Sequence, residues 1–194
     1  MTQEIEIEFK NMLTKAQYEA LLEHFHIQPE QIHYQVNHYF DTEQWHLKQL
    51  KSGLRIRQIG NRYECTLKEK TTNNAHLETT DPITSEQAAQ YLNGALLETP
   101  LVGKRLEALH IPIEQLKTFG SLATNRVELS YKGGILVFDH STYINQQDYE
   151  VEYEAVDEET GQMIFDEFLA THQIKKNYAQ KKIARFMNAL QQKG

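Results

Sequence analysis

Residues 3–10 alternate between polar and apolar side chains, and they read Gln3-Glu4-Ile5-Glu6-Ile7-Glu8-Phe9-Lys10. Successive side chains of an extended chain point to opposite faces, so strict alternation predicts a β-strand. The two isoleucines and the phenylalanine would lie on one face of that strand. The other face would carry three successive carboxylates and an ammonium group.

Six further segments have the alternation and composition of strands, and they cover residues 33–42, 54–58, 62–70, 121–131, 135–143 and 149–156. Gly60-Asn61 and Gly133-Gly134 indicate turns between them, because glycine and asparagine tolerate the positive φ angles of tight hairpins. An antiparallel arrangement is therefore expected, in which segments that follow each other in the chain pair with each other.

Helical patterns cover residues 14–24, 84–115, 160–169 and 179–190. Thr14 is the expected N-cap of the first helix, and either Thr84 or Ser85 is that of the second. Two prolines interrupt the second segment. Since no linker or repeat divides the 194 residues, we expect a single domain that spans residues 1–194.

The bulk composition excludes several classes of protein. The net charge of -7 argues against a nonspecific nucleic-acid binder, which needs a basic face for the phosphates. Cys65 is the only cysteine, so neither an internal disulfide nor a zinc site of several thiolates is expected. The sequence shows no signal peptide and no stretch of membrane-spanning length. We therefore expect a cytoplasmic protein without nucleic-acid or membrane partners, and the oligomeric state stays open.

Charged side chains also cluster on the other predicted strands. One face of each strand carries them in these groups: Arg55 and Arg57; Arg62, Glu64, Thr66 and Lys68; Arg126 and Glu128; Glu150, Glu152 and Glu154. A solvated face would explain any single strand. However, neighbouring carboxylates on a strand repel each other unless cations lie among them.

The acidic strands therefore predict a metal site. Their carboxylates, together with Asp139, offer the oxygen ligands that Mg²⁺ or Mn²⁺ prefers. The basic strands predict a polyanion, since their arginines and Lys68 can make charge-assisted contacts to phosphoryl oxygens. For these faces to converge, the sheet must close into a barrel whose outer apolar faces are covered by the helices.

In their order along the chain, these residues resemble the CYTH superfamily of triphosphate tunnel metalloenzymes, which includes thiamine triphosphatases, inorganic triphosphatases and class IV adenylyl cyclases. The resemblance spans nearly the whole chain. Its first part is Glu6-Ile7-Glu8-Phe9-Lys10, which looks like the family's Glu-x-Glu-x-Lys signature. The later matching segments are His38-Tyr39-Phe40-Asp41-Thr42, Leu54-Arg55-Ile56-Arg57, Thr66-Leu67-Lys68, Leu77-Glu78-Thr79, Asn125-Arg126-Val127-Glu128, Asp139, Glu150-Val151-Glu152-Tyr153-Glu154, and Lys182 in a C-terminal helix.

The resemblance implies an α+β fold, in which a closed eight-stranded antiparallel β-barrel forms a triphosphate tunnel and the helices pack outside. It implies catalytic roles for Lys10, Tyr39 and Lys68. The implied substrate-binding residues are Arg55, Arg57, Lys68, Glu78, Arg126 and Lys182. The implied metal ligands are Glu4, Glu6, Glu8, Asp139, Glu150, Glu152 and Glu154.

Two placements stay open in the sequence. Each acidic strand has one glutamate more than the motif requires, so the register of the metal ligands is ambiguous. Lys181 competes with Lys182 for the helix role, and Lys182 is preferred because Ile183-Ala184-Arg185-Phe186 follow it. We expect the other cations of this C-terminal cluster to be solvated, and these are Lys175, Lys176, Lys181 and Arg185.

These residues predict a divalent-metal-dependent triphosphatase, in which water attacks the terminal phosphorus of inorganic triphosphate, thiamine triphosphate or a nucleoside triphosphate. Such a reaction needs positioning and electrostatic stabilisation more than a covalent nucleophile, so Cys65 is expected to be structural. Two alternatives stay open. One is a class IV-type adenylate cyclase, in which the ribose 3′-hydroxyl of ATP attacks the α-phosphorus. The other is a non-catalytic module that binds a nucleotide or polyphosphate.

Overall fold

The computed structural model describes residues 1–72 and 74–193, the last three of them without their side chains. Within these residues there are eight strands: β1 (Thr2–Leu13), β2 (His33–Asp41), β3 (Gly53–Ile59), β4 (Arg62–Lys70), β5 (Ala75–Ile83), β6 (Lys117–Tyr131), β7 (Gly134–Tyr143) and β8 (Gln146–Ala155). They also contain six α-helices: α1 (Lys15–His24), α2 (His46–Gln49), α3 (Ser85–Leu92), α4 (Val102–Ala108), α5 (Glu158–Thr171) and α6 (Lys182–Lys193). None of the described helices combines the length and the apolar character that a membrane crossing requires.

The strands form a closed antiparallel barrel in the order β1-β5-β4-β3-β2-β6-β7-β8. This order confirms the predicted fold class. The chain divides into two compact units. The first unit consists of Met1–Glu6 and Gln35–Leu122, and the second unit consists of Ile7–Tyr34 and Ala123–Gly194. The expectation of a single domain stays a prediction.

In the first unit, one face of the sheet packs against α3 and α4. Leu54 and Ile56 of β3 are fully buried there, together with Cys65 and Leu67 of β4. Burial is the main reason why the pKa of the Cys65 thiol rises to about 12. Cys65 is thus a neutral core residue, as the sequence predicts. Because neighbouring residues point to opposite faces, Arg55, Arg57 and Lys68 lie away from the helices. Glu69 of β4 is on the helix side, where Arg105 of α4 donates to it at 2.7 and 3.0 Å.

In the second unit, α1 and α5 cover one face of the sheet. Phe9 of β1 and Phe138 of β7 share a buried cluster with Phe165 and Phe168 of α5. Thr14 is the N-cap of α1 and accepts a hydrogen bond from the third helical N–H, which confirms the predicted cap. The alternation of β1, β7 and β8 again leaves their charged residues on the face away from the helices.

The sequence pattern does not predict β5 as a strand. Thr79 and Asp81 occupy the positions that face the helices, where apolar residues are expected. Asp81 is fully buried, and its Oδ2 accepts hydrogen bonds of 2.8 Å from the N–H groups of Leu101 and Val102 at the start of α4. A polar residue therefore serves as a helix cap here, which an apolar periodicity cannot reveal.

The C-terminal helix α6 begins at Lys182, later than the predicted residue 179. Tyr178 forms an isolated antiparallel bridge with Asn11 of β1, so the chain is still extended there. The buried Asn11 side chain donates to the carbonyl of Lys175 at 3.1 Å and accepts from the N–H of Asn177 at 2.6 Å. These bonds attach the segment before α6 to β1.

Helix α5 packs so closely on the sheet that Gly161 has no room for a β-carbon. A β-carbon at this position would meet Cβ of Ala155 and would lie 2.7 Å from Cε2 of Phe9. Alanine favours a helix over glycine by about 1 kcal/mol, whereas overpacking a core costs roughly 1–3 kcal/mol. We expect Gly161→Ala to lower the free energy of unfolding, measured by urea denaturation, by up to roughly 2 kcal/mol, which is the overpacking cost less the gain in helix propensity.

The matched control is Gln162→Ala, at the next and exposed position of α5. It should change the free energy of unfolding by less than about 0.5 kcal/mol. A Gly161→Ala variant that is more stable than the wild type would show that helix propensity outweighs the crowding at Phe9.

Candidate functional site

Strands β1, β6, β7 and β8 bring charged residues together in the second unit. The directly opposed pairs are Lys10 and Glu152, Arg126 and Asp139, and Asp139 and Glu150. Residues that lie opposite each other on paired strands share one face of the sheet. The register therefore places acidic and basic groups next to each other on the face away from α1 and α5.

Arg126 orients two of these carboxylates. Its Nε and Nη2 donate to Oδ1 and Oδ2 of Asp139 at 2.9 and 2.6 Å, and Nη2 also donates to Oε2 of Glu152 at 2.9 Å. The ammonium of Lys10 lies 3.2 Å from carboxylate oxygens of Glu152 and Glu8. Charge-assisted bonds of this kind hold the side chains in defined positions.

Asp139, Glu150 and Glu152 form the acidic group of the site. Asp139 and Glu150 are 0% exposed and Glu152 is 3% exposed. Each residue offers one carboxylate oxygen, and the three oxygens lie within 4.8 Å of one another. Because such hard oxygen donors suit Mg²⁺ and Mn²⁺, this group could hold a divalent metal ion.

The neighbouring charges keep Asp139 and Lys10 ionised. Burial alone would raise the pKa of Asp139, but Arg126 and Lys182 outweigh it and lower that pKa below the usual value. Burial alone would lower the pKa of Lys10, but Glu152 and Glu8 outweigh it and raise that pKa above the usual value. The second unit thus buries an array of ion pairs.

Lys182, the first residue of α6, reaches all three members of the acidic group. Its Nζ lies 2.7 Å from Oδ2 of Asp139 and 2.9 Å from Oε1 of Glu152, and it also contacts Oε1 of Glu150. The sequence preference for Lys182 over Lys181 predicts a cation from this helix in the site. The structure brings that cation to the carboxylates.

The expectation that Arg185 is solvated is wrong. Its side chain is 11% exposed, and its Nε and Nη2 donate to Asp148 at 2.8 and 3.1 Å. Its Nη1 lies 2.7 Å from Oε2 of Glu150. The sequence does contain a signal, because Lys182 and Arg185 are three residues apart and therefore lie on the same side of a helix.

The first unit has its own ion pairs on the face away from its helices. Glu78 lies opposite Lys68, with 3.2 Å between Oε1 and Nζ, and Arg55 Nη2 is 3.7 Å from the same oxygen. Lys68 also contacts Glu6. In the described part of the chain, the buried Nε of Arg55 has no hydrogen-bond partner. This guanidinium therefore has a donor that an anion could use.

Arg57 and Tyr39 lie beside this group. Nε of Arg57 donates to Oδ1 of Asn37 at 3.1 Å. Tyr39 lies opposite Arg55 in the register, and its buried ring stacks on Phe119 with 6.2 Å between the ring centroids. The predicted residues of the first unit thus share one face of β2, β3, β4 and β5.

Among the described residues, three of the seven predicted metal ligands converge, and these are Asp139, Glu150 and Glu152. The other four lie outside that group, and these are Glu4, Glu6, Glu8 and Glu154. Glu4 is exposed and Glu154 is partly buried. Glu6 contacts Lys68, and Glu8 contacts Lys10. The metal-binding roles of all seven stay predictions.

Comparison with known proteins places the chain in a family. The family model of the CYTH domain matches residues 4–187. A protein of Bacillus subtilis (strain 168), named "Putative triphosphatase YjbK", is 39% identical over 186 residues, which are 96% of this chain and 96% of that protein. The chain therefore belongs to the CYTH domain family.

Solved structures share the fold. A Bacillus halodurans protein described as a "putative adenylate cyclase" has a TM-score of 0.92 and 39% identity, and the match covers 96% of this chain and 99% of that one. A Hippeastrum protein, described as a "putative adenylyl cyclase" with a dominant triphosphatase activity, has a TM-score of 0.79 and 20% identity, with 95% of each chain covered. At this lower identity the second likeness concerns the fold alone.

Glu78 makes the stability of the fold depend on pH. Burial alone would raise its pKa, but Arg55, Lys68 and Arg57 outweigh burial and lower the pKa from 4.5 to about 2. A carboxylate whose pKa is lower in the folded chain than in the unfolded chain stabilises the fold fully above pH 4.5. This contribution is lost as the pH falls through about 2.

We expect Glu78→Gln to lower the free energy of unfolding at pH 7 by roughly 3 kcal/mol. The difference from the wild type should shrink as the pH falls below 4.5, because the wild-type carboxylate then contributes less to the free energy of unfolding. Urea denaturation at several pH values measures both effects. Glu107→Gln, at an exposed position of α4, is the matched control. A difference that does not change with pH would contradict the assigned ion pairs.

Proposed function

We propose that this chain is a divalent-metal-dependent triphosphatase. The observation that carries the proposal is the buried group of Asp139, Glu150 and Glu152, whose oxygens lie within 4.8 Å of one another beside Arg126 and Lys182. Three buried carboxylates are costly unless cations accompany them. Oxygen ligands for a metal next to cationic donors for phosphate match the requirements of phosphoryl transfer.

Asp139, Glu150 and Glu152 would hold the metal ion, and Mg²⁺ or Mn²⁺ fits their hard oxygen donors. The bound ion would neutralise charge on the phosphoryl oxygens and orient the attacking water. Glu8 and Glu154 lie opposite each other on β1 and β8, and this like-charged pair also favours a nearby cation. We propose the remaining acidic residues of these strands as further ligands, and these are Glu4, Glu6, Glu8 and Glu154.

Basic side chains would bind the phosphates. The buried Nε of Arg55 needs an acceptor, and a phosphoryl oxygen would supply one. Glu78 would keep the Arg55 and Lys68 side chains in position. The proposed phosphate-binding residues are Arg55, Arg57, Lys68, Arg126 and Lys182. Lys10 and Tyr39 are proposed to act at the phosphoryl group that is transferred.

In the proposed reaction, a water oxygen forms a bond to the terminal phosphorus while the bond from this phosphorus to the bridging oxygen breaks. Inorganic triphosphate would yield phosphate and pyrophosphate, and an organic triphosphate would yield phosphate and the organic diphosphate. The cationic side chains stabilise the negative charge on the equatorial and leaving oxygens. The water loses its proton to a carboxylate of the site or to solvent.

The similarity to the Bacillus subtilis protein supports a triphosphatase, since that protein is named as one and covers the same length. The proposed substrates are inorganic triphosphate or an organic triphosphate such as thiamine triphosphate or a nucleoside triphosphate. A cytoplasmic location is proposed as well, because a reducing compartment suits the single buried thiol of Cys65.

A class IV-type adenylate cyclase is the second candidate. The observation that favours it is the Bacillus halodurans structure, which is 39% identical and is described as a "putative adenylate cyclase". Both reactions break a phosphoric anhydride bond of a bound triphosphate, so the same charged residues would serve either one. The two candidates differ in the nucleophile, which is water in one case and the ribose 3′-hydroxyl in the other.

We expect the purified protein to release phosphate from inorganic triphosphate, thiamine triphosphate or ATP when Mg²⁺ or Mn²⁺ is present. A chelator should stop the release, and added Mn²⁺ should restore it, because the carboxylates need a cation to receive the substrate. Chromatography of the products from ATP separates the candidates. Cyclic AMP with pyrophosphate would favour the cyclase, and ATP that binds but stays intact would favour a binding module.

Glu152→Gln should lower kcat/KM for the hydrolysed triphosphate by roughly a hundredfold or more. The substitution removes a negative charge next to the transferred phosphoryl group and keeps the size of the side chain. Glu167→Gln is the matched control, since Glu167 is exposed on α5 and pairs with Lys132. This control should keep the wild-type rate. A Glu152→Gln variant that is folded, as shown by circular dichroism, and fully active would contradict the proposed site.

A further inference from the structure

The ammonium of Lys182 occupies the centre of the acidic group. It faces a single oxygen of each carboxylate: Oδ2 of Asp139 at 2.7 Å, Oε1 of Glu152 at 2.9 Å, and Oε1 of Glu150. An ammonium group has three N–H donors. One ammonium therefore contacts one oxygen from each of the three residues that could hold a metal ion.

The other oxygens of these carboxylates have partners of their own. Arg126 donates to Oδ1 of Asp139 and to Oε2 of Glu152, both at 2.9 Å. Arg185 lies 2.7 Å from Oε2 of Glu150. Oδ2 of Asp139 also accepts a hydrogen bond from Nη2 of Arg126 at 2.6 Å, and Oε1 of Glu152 also accepts one from Lys10 at 3.2 Å. A metal ion on the oxygens that face Lys182 would share or take these bonds, but it would leave Arg126 its bonds to Oδ1 of Asp139 and Oε2 of Glu152.

We propose that Lys182 competes with the divalent metal ion for this acidic group and leaves it when the ion binds. Oxygen ligands lie about 2.0–2.6 Å from Mg²⁺ or Ca²⁺, and an ion that close to these oxygens would lie almost on top of the ammonium. Two cations at such a separation repel strongly in a buried site. The inference rests on the proposed function, because it assigns the metal to the same three carboxylates.

The exchange needs only a side-chain movement. Arg185, one turn further along α6, is held by two hydrogen bonds to Asp148, and Asp148 also accepts a hydrogen bond of 2.6 Å from Tyr143. Asn11 fixes the segment before α6. Lys182 has a flexible four-carbon stem, so its ammonium can move while the helix stays in place.

The displaced ammonium would then be available to a phosphoryl oxygen. A metal ion and a phosphate would thus bind together. The ion would bind the carboxylates, and the ammonium of Lys182 would move from the carboxylates to the phosphate. Lys182 makes the acidic group stable without a metal ion and weakens its affinity for one. The consequence is a measurable effect on metal binding in the absence of any triphosphate.

The test measures Mn²⁺ binding to the triphosphate-free protein by isothermal titration calorimetry at pH 7. Lys182→Met removes the ammonium and its repulsion of the ion but keeps most of the stem, so its Kd for Mn²⁺ should fall by roughly tenfold or more. Lys176→Met is the matched control, because it makes the same charge change at an exposed lysine that pairs with Asp166. This control should bind Mn²⁺ as the wild type does.

An unchanged or higher Kd in a folded Lys182→Met variant would overturn the competition and leave the proposed triphosphatase standing. If neither protein binds Mn²⁺ without triphosphate, the competition is overturned as well. The proposed function would then fail only if phosphate release from triphosphate were also independent of metal. The competition by Lys182 and the proposed triphosphatase would therefore be contradicted by different measurements.

A second measurement uses the wild-type protein and does not depend on how the variant folds. The acetylation rate of each lysine is followed by mass spectrometry of its peptides, with and without Mg²⁺. Mg²⁺ should speed the acetylation of Lys182 at least severalfold and leave that of Lys176 unchanged. A slower or unchanged rate at Lys182 in saturating Mg²⁺ would overturn the proposal.

Discussion

The burial of ionised carboxylates next to cations is the interaction on which this structure depends. Asp139 and Glu150 have no exposed surface, and an unpaired carboxylate in such a place costs several kcal/mol. Arg126 and Lys182 remove most of that cost for Asp139, since they hold its pKa below the usual value. The strand register and the position of α6 bring these cations and carboxylates together.

The same requirement shapes both units separately. In the first unit, Glu78 is held by Arg55 and Lys68, and its pKa is lowered to about 2. In the second unit, Lys10 and Arg126 share Glu152. Each charged face thus contains ion pairs between side chains of its own unit. In the proposed exchange, a metal ion at the acidic group of the second unit would displace the ammonium of Lys182.

The helix α6 shows how a distant part of the chain completes such a site. Lys182 and Arg185 reach carboxylates of β7 and β8, although more than 25 residues separate the end of β8 from the start of α6. Asn11 and the bridge at Tyr178 keep the intervening segment against β1. The C-terminal helix is therefore part of the charged site as well as part of the packing.

The sequence by itself determined seven of the eight strands in the described part of the chain, their charged faces and the family. Alternation in residues 3–10 and 149–156 is a local property, and the order of the charged motifs identifies the CYTH domain, which the family model confirms. Only the tertiary structure decided that three of seven acidic candidates converge, that Arg185 pairs with Asp148 and Glu150, and that β5 is a strand. The physical reason is that alternation fixes which face a side chain points to, whereas its partners depend on the register between strands and on helices distant in the sequence.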